Sequence, residues 1–185
     1  MIYGWSPGIG DPTAVGWITV AAYLLGSALS ARAALMARKR RRGREKAFWW
    51  LSAAALLLLA INKELDLQSL LTAIGKHYAI TQGWYDNRRV VQLGFIVLVG
   101  AAGLGTALLM LRLARKGSSA VRAGLVGLVL IGSFVVIRAA SFHKIDHWLG
   151  TGALGLRWNW VLELSGITVV ALAALSYVRG KRRRI

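Results

Sequence analysis

The sequence predicts an all-α integral membrane protein, a bundle of five transmembrane helices with the N-terminus outside and the C-terminus in the cytoplasm. Three observations predict it. Hydrophobic residues make up 56% of the 185 residues and mean hydropathy is +0.53, beyond the roughly 45–50% apolar share of soluble domains. The apolar residues fall into five stretches near the ~20-residue length that crosses a ~30 Å hydrocarbon core. The charged segments between those stretches alternate between strongly basic and mixed, which is the pattern of a multi-pass chain obeying the positive-inside rule.

The first stretch runs from Ala14 to Ala31. No basic region precedes it and no small-residue cleavage site follows it, so it reads as a retained span rather than a signal peptide. Asp11 and Pro12 before it suit an N-cap and a first helical turn. The second stretch, Ala47 to Leu65, is apolar only as far as Ile61, or ~22 Å of helix at ~1.5 Å per residue. Its polar end, Asn62, Lys63, Glu64 and Asp66, is therefore drawn into the outer leaflet. Beyond it Leu65, Leu67, Leu70, Leu71 and Ile74 recur at near-helical spacing, predicting an amphipathic outer segment that Gly75 could end. The third, fourth and fifth spans are read at Val90 to Leu111, Ala123 to Ile137 and Trp158 to Val178. Glycines 94, 100, 103 and 105 in the third and 124, 127 and 132 in the fourth predict a close antiparallel pair, because small residues let helices approach in lipid. No linker or internal repeat divides residues 1–185, so one transmembrane domain is expected.

Charge assigns the sides. The segment after span one, the third loop and the C-terminal Arg179 to Arg184 tail, with Arg32, hold 17 of the 24 Lys and Arg residues and only Glu45 among the seven acids. These belong in the cytoplasm of a cell inner membrane, facing anionic inner-leaflet lipid. The basic clusters lack the interleaved aromatics that stack on bases, so nucleic acid is not an expected partner despite the net charge of +17. Trp49 and Trp50 fall at the inner end of span two and the other six tryptophans toward the outer side, an arrangement expected of an interfacial belt. With no cysteine in the chain, disulfides and thiolate chemistry are excluded.

All three histidines and six of the seven acids then fall on the outer face. Glu163 lies more than one turn inside span five, where an ionisable side chain is expensive unless paired, protonated or wet. Arg138, Arg89 and Lys63 are partners at its depth, Arg138 the simplest. His143 and His147 stand i, i+4 with Asp146 between them, a spacing that can chelate a metal if the segment is helical. Glu64, Asp66 or His77 could complete a mixed nitrogen and oxygen shell for zinc or iron. The histidine pair lacks the glutamate of an HExxH motif, which argues against a zincin protease.

The candidate set is Glu64, Asp66 and Glu163 as acid–base groups, Arg88, Arg89, Arg138, Ser141 and Asn159 as ligand-binding groups, and His143, Asp146 and His147 as metal ligands. Ser141, His143, Asp146 and His147 together resemble the grouping in alkaline ceramidases and related membrane hydrolases. The resemblance implies zinc held by serine, aspartate and histidine inside a helical bundle. The chain departs from that group in having fewer spans and differently distributed histidines. Three functions follow in order: a ligand or metal site acting on a lipid-like or anionic substrate, an accessory subunit of a larger membrane complex, and a small transporter component. A transporter ranks last because five spans without a repeat offer little for alternating access.

Overall fold

The computed structural model describes residues 13–65, 67–81, 88–140 and 158–180, and within the helices leaves aside the side chains at 65, 67–72, 79, 88–89, 92, 95–96, 137–140 and 158–160. Every described element is a helix: α1 (Ala14–Lys39), α2 (Gly43–Leu65), α3 (Leu67–Thr81), α4 (Arg88–Ala114), α5 (Ser119–Ala140) and α6 (Trp158–Arg179). Five of them, all but α3, are long and apolar enough to cross a membrane. The five expected spans are therefore present, each prolonged into flanking charged sequence.

Local chemistry sets the helix ends. Thr13 is the N-cap of α1, its hydroxyl accepting from the Gly16 amide at 3.1 Å. The cap thus falls two residues beyond the expected Asp11, which lies outside the described residues. A tight turn at Arg40, Arg41 and Arg42 reverses the chain into α2, and Arg41 takes the left-handed conformation at φ 55°. The amphipathic segment after span two is helical, as α3, but Gly75 does not end it. The helix continues to Thr81, whose hydroxyl donates back to the His77 carbonyl at 3.0 Å.

The core lies between α1, α2, α5 and α6. One stripe of α1, from Gly16 through Thr19, Tyr23, Gly26 and Ser30 to Ala33 and Ala37, is buried, at the spacing of a single helix face. Gly26 marks the point where α1, α2 and α6 meet. A Cβ there would stand 3.2 Å from Leu56 and 3.6 Å from Ile167. The Ser27 hydroxyl crosses the same seam to the Ala53 carbonyl at 2.8 Å. Trp49, fully buried, packs edge-on against Phe48, tilted against Tyr177 and over Gly124.

The glycines sort differently from the expectation. Gly127 of α5 packs against Gly166 of α6, so closely that a Cβ on Gly127 would fall 2.8 Å from the Gly166 carbonyl oxygen. The close pair is α5 with α6. Among the described residues, nothing lies within 4 Å of a Cβ built on Gly94, Gly100, Gly103 or Gly105 of α4. Of the described α4 side chains only Met110 and Ala114 are buried, so α4 touches the bundle mainly by its C-terminal end. Tryptophans divide as well: Trp50 and Trp17 are exposed toward the lipid, whereas Trp49 belongs to the core.

Candidate functional site

The α1, α2 and α6 helices carry a polar group at each end of their shared seam. At one end Glu163, in the second turn of α6, is only 3% exposed. Its Oε2 accepts from Lys63 Nζ of α2 at 2.8 Å, and its Oε1 accepts from the Tyr23 hydroxyl of α1 at 3.1 Å. Lys63 and Glu163 side chains are 9% and 5% exposed, and Tyr23 is buried too. The partner that sequence reasoning required for Glu163 is thus Lys63, named as a candidate behind Arg138. Lys63 arrives there because α2 runs antiparallel to α6 and its last turn passes the second turn of α6.

Glu64, the next residue of α2 after Lys63, holds a buried Oε1 with no hydrogen-bond partner. A carboxylate oxygen shut away from water without a donor costs more than the bond it lacks, which makes it an open acceptor. A metal, an amine or a ligand hydroxyl has the chemistry to fill it. Among the described residues no three of His, Asp and Glu gather as a metal site. His77 packs edge-on against Tyr78.

The remaining expected residues divide by placement. Arg88 and Arg89 open α4, Asn159 lies in the first turn of α6 and Arg138 in the last turn of α5, so the backbone brings all four to the Lys63 end while their side chains lie outside those described. Asp66, Ser141, His143, Asp146 and His147 fall outside the described residues altogether.

The opposite end holds a second cluster that the sequence reading missed. Glu45, 5% exposed, accepts from the Tyr177 hydroxyl at 2.5 Å, from the Ser118 amide at 2.8 Å and from Arg42 at 3.2 Å. Its carboxylate thereby sits at the N-terminus of α5, where the helix dipole favours negative charge. Arg40 donates to the carbonyls of Tyr177 and Gly180 at the end of α6 and lies 5.1 Å from the Tyr177 ring centroid. Its cation thus meets the negative pole of that helix. One available signal was Glu45 itself, the lone acid in a basic run and three residues after Arg42.

No protein-family model, curated protein or solved structure matches this chain.

Proposed function

We propose that the Lys63 end is a binding site on a multi-pass inner-membrane protein, open to the extracytoplasmic side, for a polar or metal-bearing ligand. The carrying observation is the buried Tyr23–Glu163–Lys63 triad, with an unpartnered carboxylate oxygen on Glu64, the residue after Lys63. A buried ion pair adds little to stability over apolar residues of the same volume, and ionisable groups within membrane spans commonly mark ligand or proton pathways. In this reading Glu163, Glu64 and Asp66 are the proton-accepting groups. Arg88, Arg89, Arg138, Ser141 and Asn159 receive the anionic or hydroxyl-bearing part of a lipid-like substrate. His143, Asp146 and His147 supply nitrogen and oxygen ligands suited to zinc or iron.

The test is to replace the pair by apolar residues of similar length, Lys63→Met with Glu163→Met, and to measure bound metal and copurifying small molecules by mass spectrometry. A folded double variant that loses a ligand held by the parent supports the site. An identical ligand profile in the folded double variant, or a parent with no ligand under several metal supplies, refutes it.

The flank of α4, exposed among the described residues, favours a second reading, an accessory subunit of a membrane complex. Exposed glycines let another helix approach as closely as α6 approaches α5. Under this reading a fixed partner copurifies from the native membrane, and a stable lone monomer contradicts it.

A further inference from the structure

The bond between Glu45 and the Ser118 amide joins chain segments 73 residues apart. It sets the α1–α2 turn against the α4–α5 turn. Each turn carries exposed cations: Arg41, Arg44 and Lys46 on the first, Arg115, Lys116 and Arg122 at the second. The one acid of this end is turned inward and saturated with donors, so no described carboxylate competes for those cations at the surface. Two basic runs that are separate in sequence thus become one anion-attracting surface.

We propose that this composite surface is a binding site for the phosphate of an anionic phospholipid, whose headgroup bridges the two turns. Lipid is the fitting source because both turns cap helices with apolar, outward-facing flanks, so a headgroup at this level keeps its acyl chains against Leu108, Leu111 and Val126, all exposed. The bridge also explains how α4 is held. Its described buried residues, Met110 and Ala114, lie in its last two turns, next to the turn that the headgroup grips. The site lies at the end opposite the Tyr23–Glu163–Lys63 triad and stands or falls independently of it.

The experiment is native mass spectrometry of the full chain extracted from vesicles of phosphatidylcholine mixed with phosphatidylglycerol. The expected result is selective retention of phosphatidylglycerol. Each cation near an anionic surface is worth roughly fivefold. Three cations acting alone account for on the order of a hundredfold, so glutamine substitution of either triplet is expected to lower retention by more than that, and substitution of all six to lower it little further. Loss of only a separate share from each triplet, adding up in the sextuple variant, means two independent patches and overturns the bridge. Equal retention of phosphatidylcholine, or displacement of the lipid by inorganic phosphate or an oligonucleotide, overturns the choice of ligand.

Glu45→Ala separates placement from bulk charge. It makes this end more positive, so simple attraction gives tighter retention. Loss of the side-chain acceptor of the Ser118 amide loosens the two turns, so the bridge gives weaker retention. Tighter retention in Glu45→Ala overturns the proposal, and the glutamine triplets still decide it where that variant does not fold.

Discussion

Lys63 Nζ and Glu163 Oε2 stand 2.8 Å apart inside a helix bundle, joining residues 100 positions apart in sequence. The Tyr23 hydroxyl closes the carboxylate's other oxygen. Removing one member leaves an uncompensated charge in an apolar surround, which costs ~3–5 kcal/mol. Lys63→Met and Glu163→Met are each expected to be strongly destabilised in thermal or denaturant unfolding in detergent. The double variant is expected to recover most of the loss, since both charges leave together. Additive losses in the cycle mean that the two residues do not depend on each other.

Tyr177 and Glu45 make the corresponding contact at the far end of the same helices. Tyr177→Phe keeps the ring against Trp49 and under Arg40 but takes one donor from a buried carboxylate. The expected cost is about 1–3 kcal/mol. Glu45→Ala is expected to cost more, because it also uncovers the Ser118 amide at the start of α5. Equal stability of Tyr177→Phe and the parent would show that solvent, not the hydroxyl, satisfies Glu45.

Most of the architecture was legible because hydrocarbon thickness imposes one length on every span and charge separates the spans. The same energetics showed that Glu163 needed a partner. They could not choose it, since the choice rests on how helices align along their axes. In the structure α1 and α6 run parallel in one register, with Tyr23 meeting Glu163 and Arg40 meeting Gly180 at the same separation of 140 residues. No local pattern records that offset. Trp49 and Trp50 make the same point: adjacent and identical in chemistry, they differ by the ~100° between neighbouring helix positions, which turns one into the core and the other toward lipid. The glycines of α4 and α5 looked alike for the same reason, although Gly124 and Gly127 of α5 meet another helix while Gly132, like the glycines of α4, meets nothing within 4 Å among the described residues.

That contrast supplies a direct comparison. A Cβ on Gly127 meets Val170 at 2.7 Å and the Gly166 carbonyl at 2.8 Å, whereas one on Gly103 meets nothing within 4 Å among the described residues. Gly127→Val must therefore push α5 from α6, at a cost of at least ~1–3 kcal/mol. Gly103→Val is expected to leave the unfolding midpoint of the isolated protein unchanged. If α4 has a helical partner in the native membrane, Gly103→Val breaks that association while sparing the monomer. Pull-down from the membrane alongside unfolding of the purified variant reads both effects.

The charge asymmetry makes the orientation testable at two sites. The Glu45 end carries the exposed arginines of both tight turns, and the positive-inside rule puts such segments in the cytoplasm. Ser119 opens α5 at that end and Thr81 closes α3 on the other side of α2, and both are exposed. Because the chain contains no cysteine, Ser119→Cys and Thr81→Cys each introduce a single thiol without background. A membrane-impermeant maleimide applied to spheroplasts is expected to label Thr81→Cys at once and Ser119→Cys only after permeabilisation. The reverse pattern turns the protein over, placing the Tyr23–Glu163–Lys63 triad near the cytoplasm. Any ligand of that triad would then have to be sought among cytoplasmic solutes.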